Sequence, residues 1–181
     1  NKKKILGFTD IEDSDEELLG IKKLGNDNIL HKYDKNNIEL AIGIGSLPGN
    51  NKRWEIIKKL RSEGFTIAKV IDPRASISSN AKLRTGVQVM ANAILQSGVT
   101  IGNDSIINTN SSIDHDCNIG DNCHIAPGVV MSGNVNIENH VHIGTGSIII
   151  ENVNIGSKSI IAAGSTIYKD IKTATKFIQK K

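Results

Sequence analysis

The chain has 181 residues and a net charge of +3, its 22 basic residues nearly matched by 19 acidic ones, so the charge balance implies no nucleic-acid partner. That length allows one ordinary domain or two small ones, and 3 Phe, 2 Tyr and 1 Trp beside 17 Gly exclude a broad aromatic core in favour of a narrow aliphatic one with many tight turns. No apolar run approaches the roughly 20 residues of a membrane span and no signal-peptide pattern is present, so the expected location is cytoplasmic.

Residues 4–10 and 38–45 are the first strand candidates. Residues 51–63 are a helix candidate, with Trp54, Ile57 and Leu60 on one side and Gly64 as its stop. Strand, loop, strand and helix in that order predict a small α/β domain with a parallel sheet.

From Ile71 the chain changes character. Every sixth residue up to Ile167 is aliphatic, seventeen in all, without an insertion. The slot four residues after each of the first sixteen holds only Ala, Val, Ser or Cys, and the slot three residues after holds Gly, Asn or Asp in thirteen of the sixteen. Aliphatic and small slots on one face of a short strand point inward, and residues that tolerate a left-handed backbone mark the corner between them. Three strands and three corners close a coil of 18 residues, so residues 71–166 supply about 5.3 coils stacked at roughly 4.8 Å. A β-sandwich would not keep a fixed phase of six across variable hairpin loops.

This pattern resembles the hexapeptide-repeat acyltransferases, and the resemblance implies a left-handed parallel β-helix that assembles as a homotrimer with active sites between subunits. The region ahead of the repeat narrows it. Gly7-Phe8-Thr9-Asp10, Leu18-Leu19-Gly20, Leu24-Gly25, Ala41-Ile42-Gly43 and Arg53 ahead of the helix resemble the N-terminal domain of the nucleotide-sugar acetyltransferases, which include bacillosamine-type N-acetyltransferases and sialic acid O-acetyltransferases. Residues 1–70 then correspond to an α/β nucleotide-sugar-binding domain, 71–170 to a β-helix acyltransferase domain and 171–181 to a basic C-terminal tail. The family opens on a strand and a glycine-rich loop, whereas this chain starts at what corresponds to its second strand. Asp10 is the position that matches a uridine contact, and Ile11 stands where a second Asp often follows.

Four of the five His fall in the repeat: His115, His124, His140 and His142. Acetyl transfer to an amine or hydroxyl needs a base, and imidazole titrates near neutrality. His115 with Asp116 can supply a base and the carboxylate that orients it. Spacing alone leaves a second reading open, in which Asp116 is a corner residue and His115 an exposed turn histidine. The resemblance implies catalysis at His115 and Asp116, contact of His124 with the acetyl donor, and a Gly133 N–H that polarises the thioester of acetyl-coenzyme A. A solvated His124 is the competing reading, and His140 and His142 are taken as surface residues. Zinc is not expected. The related β-helix carbonic anhydrases place two His ligands five residues apart, a spacing absent here, and Cys117 and Cys123 occupy the small inward slot. The expected activity is acetyl-coenzyme A-dependent acetylation of the amino group of a nucleotide-linked sugar. O-acetylation of a sialic or related sugar and a non-catalytic trimeric nucleotide-sugar-binding protein are the alternatives.

Overall fold

The computed structural model describes residues 4–11 and 16–179. From Val70 to Phe177 the chain runs through eighteen strands of two residues each. Such strands are too short to persist alone, and each is held by parallel ladders to the coils above and below. Ile94–Leu95 pairs with Ser112–Ile113, and Ser112–Ile113 with Val130–Met131, each step being one full coil. The strands stack into three faces of seven, six and five. The first face begins at Val70–Ile71, the second at Ser76–Ile77 and the third at Lys82–Leu83. The architecture is a left-handed parallel β-helix.

Inside the prism the aliphatic slot is wholly buried at Ile107, Ile113, Ile125, Ile137 and Ile143. Burial of each such side chain stabilises the stack by about 1.5–3 kcal/mol. Inward hydroxyls are matched rather than stranded: Ser105 Oγ donates to the Gly120 carbonyl at 2.8 Å and Ser147 Oγ to the Gly144 carbonyl at 2.7 Å. An unmatched hydroxyl there would cost about 1–3 kcal/mol.

The corner residues from Gly86 to Gly164, taken every sixth, all have left-handed φ between 53° and 78°. Twelve are Gly, Asn or Asp, and the two exceptions are His140 and Lys158. For those two the conformation costs about 1–2 kcal/mol each.

The basic segment expected as a tail continues the stack. Ile171 bridges Ile155, and Lys176–Phe177 pairs with Ile160–Ile161, in both cases by a step shorter than a full coil. The shortening falls in the corner at residues 168–170, and the pattern resumes at Ile171 and Phe177, which pack on the core.

The N-terminal region differs from the single parallel sheet its sequence predicts. Strand β3 (Ile21–Gly25) pairs in parallel with β1 (Phe8–Thr9) and antiparallel with β2 (Glu17–Leu18). A separate parallel pair joins β4 (Glu39–Leu40) to β5 (Thr66–Ile67), with helix α1 (Lys52–Ser62) between them in sequence. Ile42, Ile57, Leu60, Phe65 and Ile67 form its core. The strand expected over residues 38–45 stops at Leu40, because the carbonyls beyond it are taken by side chains. Gln88 Nε2 donates to the Ile42 carbonyl at 2.7 Å, Arg53 Nη1 to the Ile44 carbonyl at 2.8 Å and His124 Nδ1 to the Ser46 carbonyl at 2.9 Å. This segment therefore lies against the first face of the β-helix. Arg61 adds a two-pronged ion pair to Asp104, whose side chain has no exposure, with Nη2 to Oδ1 at 2.8 Å.

Candidate functional site

His115 lies between Ile113, buried on the second face, and Asp116, whose φ of 58° turns the chain toward the third face. That turn throws the imidazole outward, with 61% of it exposed. Its Nδ1 is 3.0 Å from Asp116 Oδ2, and its own backbone N–H donates to Asp114 Oδ1 at 2.7 Å. A carboxylate only accepts here, so the ring proton sits on Nδ1 and the Nε2 lone pair is free. The bond from Asp116, and then the charge of Asp114, raise the His115 pKa above its usual value.

Two glycines make room for this pair. One coil below, a β-carbon at Gly98 would fall 2.3 Å from Asp116 Oδ1; one coil above, a β-carbon at Gly133 would fall 2.6 Å from His115 Nε2. The Gly133 carbonyl accepts from Asn152 N–H, and its own N–H finds no acceptor among the described residues. The imidazole is thus packed on a backbone that carries a spare donor. From sequence Gly98 reads only as a corner residue; its place one coil before Asp116 was the available signal of a closer role.

His124 sits in a different setting, on the first face. Nδ1 donates to the Ser46 carbonyl at 2.9 Å, and Nε2 accepts from Asn108 Nδ2 at 3.1 Å. Both ring nitrogens are committed, which fixes the neutral Nδ1–H tautomer. Burial lowers its pKa. It is neither solvated nor beside His115, which occupies the corner between the second and third faces. Asp10 lies just past β1, its N–H donating to the Gly25 carbonyl at 3.0 Å.

Cys117 and Cys123 point inward and donate to the carbonyls of Ser132 and Glu138 at 3.1 and 3.0 Å. Burial pushes the Cys123 thiol up to about 12 and raises Cys117 as well, so both stay protonated. Among the described residues no three His, Cys, Asp or Glu side chains gather closely enough to hold a metal ion.

Known proteins share this fold. Residues 98–133 match the bacterial transferase hexapeptide (six repeats) profile, and residues 134–169 the hexapeptide repeat of succinyl-transferase. No curated protein sequence matches the chain. Among solved structures, the acetyltransferase domain of PglB from Neisseria gonorrhoeae, in complex with acetyl coenzyme A, is 28% identical with a TM-score of 0.85; the match covers 93% of this chain and 80% of that one. A variant of GDP-perosamine N-acetyl transferase from Caulobacter crescentus, with CoA and GDP-perosamine, is 29% identical over 93% of this chain and 79% of that one, with a TM-score of 0.82. PerB from Caulobacter crescentus is 31% identical over 87% of this chain and 75% of its own, with a TM-score of 0.78. The chain belongs to the hexapeptide-repeat sugar acetyltransferases.

His115 lines neither of two cavities found among the described residues of the acetyltransferase. One of about 490 Å³ lies between residues 46–51, Trp54 and the corner carrying Asn122, His140 and Lys158. The other, about 330 Å³, runs over Gly144, Ala162 and Ala163 to Phe177. Pro48, His142 and Ile160 line both. The surface role expected for His140 and His142 is corrected here. His140 meets the Trp54 ring edge-on at 5.3 Å. His142 stacks edge-on over His124 at 4.9 Å, its Nδ1 is buried without a hydrogen-bond partner, and burial lowers its pKa to about 4. No helix of the described residues is long and apolar enough to cross a membrane.

Proposed function

We propose that the protein transfers the acetyl group of acetyl-coenzyme A to the amino group of a nucleotide-linked amino sugar, in the cytoplasm and as a homotrimer. The observation that carries this reading is the His115 imidazole, held through Nδ1 by Asp116 and packed on the Gly133 backbone. His115 Nε2 takes the proton as the amine nitrogen bonds to the thioester carbonyl carbon, and Asp116 stabilises the resulting imidazolium. The Gly133 N–H, without an internal acceptor, stabilises the oxyanion of the tetrahedral intermediate. Collapse breaks the C–S bond, and His115 returns its proton to the departing thiolate. His124 does not act as a base, because both its nitrogens are committed; it holds the 46 segment and meets the acetyl donor as a neutral ring. Asp10 contacts the nucleoside.

Three points favour this assignment. His115 stands on an outward corner with 61% of its imidazole exposed, which suits a cleft completed by a neighbouring copy. An amine acceptor, rather than a hydroxyl, is favoured by the likeness to GDP-perosamine N-acetyl transferase. The coenzyme A seen in three similar structures supports the donor.

The test is coenzyme A release by the full chain with acetyl-coenzyme A and a panel of UDP- and GDP-linked amino sugars, with size-exclusion chromatography and light scattering for the assembly. Turnover on an amino sugar that disappears in a His115→Ala trimer is the expected result. Undiminished turnover in that variant overturns the assignment.

A further inference from the structure

We propose that the cavity between residues 46–51 and the corner of Asn122, His140 and Lys158 is a phosphate site for a nucleotide ligand, with Lys158 supplying the charge. This rests on the acetyltransferase reading in one respect only, that both of its substrates carry nucleotide phosphates.

The corners themselves point to the site. Of the fourteen left-handed corner residues from Gly86 to Gly164, only His140 and Lys158 are neither Gly, Asn nor Asp. They stack one coil apart, and both line this cavity. Strained residues persist where another role holds them, and these two share one wall. That wall carries a cation and two imidazoles. The Lys158 ammonium makes no ion pair or hydrogen bond among the described residues. Asn122 Nδ2 lies 2.9 Å from His140 Nδ1 and donates to it, which leaves the His140 Nε2–H as a free donor. His142 Nδ1 is buried with no partner among the described residues. Asn50, Asn51 and Trp54 bring the entrance to α1 to the same cavity, and the Trp54 backbone N–H has no acceptor among the described residues. Its volume of about 490 Å³ lies within the range of small-molecule sites. Unmatched donors and one unpaired cation, with no carboxylate among the described residues that line the cavity, select an anion. A phosphate brings three acceptor oxygens to those donors.

Coenzyme A and a nucleotide sugar are the two sources of that chemistry. Trp54, the single tryptophan of the chain, lines the cavity, so its fluorescence reads occupancy directly. The full chain is titrated with coenzyme A, with UDP and with pantetheine, which lacks phosphate. Saturable change in Trp54 emission with coenzyme A or UDP, and none with pantetheine, is the expected result; the responding nucleotide identifies the source. In Lys158→Asn the Kd for that nucleotide should rise about tenfold, the loss of one charge-assisted contact. The Tm of Lys158→Asn should not fall, because Asn suits the corner better than Lys. That combination separates binding from a structural role, which would lower Tm and leave Kd alone. An unchanged Kd in Lys158→Asn, or no emission change with either nucleotide, overturns the proposal. Acetyl transfer is assayed on the same preparation. A responsive Trp54 without turnover overturns the enzyme reading alone, and turnover with a silent Trp54 overturns this one alone.

Discussion

His115 and His124 are nine residues apart in one repeat, and the fold treats them in opposite ways. His115 stands on a corner with a carboxylate against Nδ1 and its pKa raised; His124 is covered by the 46 segment with a carbonyl against Nδ1 and its pKa lowered. Both carry the proton on Nδ1, yet only His115 has a free Nε2, since Asn108 occupies that of His124. The repeat sets where a residue stands, and the partner it meets sets its proton chemistry.

The sharpest way to break this comparison is to remove the exposed imidazole. His115→Ala should lower kcat by on the order of 10²–10⁴-fold, the range of a positioned general base, while coenzyme A affinity by calorimetry stays within about twofold. An equal loss from a His124→Gln variant would show that the two rings share the base role. Gly133→Ala comes next. The added methyl would meet the imidazole 2.6 Å from Nε2 and must push it aside, so kcat should fall by about 10²-fold with Tm nearly unchanged.

Asp116→Asn sharpens the comparison through pH. Loss of turnover of about tenfold is expected, because an amide no longer stabilises the imidazolium. The acidic limb of the wild-type kcat profile should lie above the ordinary histidine value of about 6.5, since a base with a raised pKa is protonated at higher pH. In Asp116→Asn that limb moves to lower pH. A stationary limb would place the titration elsewhere.

The smallest effect belongs to the buried side. His142 titrates at about 4 in the folded chain, below its unfolded value of about 6.5, so its neutral form contributes stability that is complete above pH 6.5 and lost as pH falls toward 4. Allowing for its partial exposure, the loss is about 1–2 kcal/mol. Calorimetric Tm measured from pH 7 to 4.5 should fall less steeply in His142→Gln than in the wild type.

The β-helix was legible because its physics is local and repeated. An aliphatic residue every six, a small residue four later and a corner former between them each answer to one slot, and the register of the coils follows. The last coil was not legible because a shortened corner carries Ile171 and Phe177 out of phase. The N-terminal sheet escaped for another reason: residues 38–45 read as a strand, but the carbonyls of Ile42, Ile44 and neighbouring Ser46 are claimed by Arg53, Gln88 and His124, side chains 9 to 78 positions away. His140 and Lys158 were visible as breaks in the corner rule, yet their common wall appears only when the 46–51 segment closes over them.

Sequence by itself determined the prism and the inward and outward slots, and it set His115 beside Asp116, since each depends on neighbours one slot or one coil away. Tertiary structure alone decided which histidine keeps a free nitrogen and which is locked. Hydrogen-bond partners and burial come from segments distant in the chain, and those two quantities govern where a proton rests.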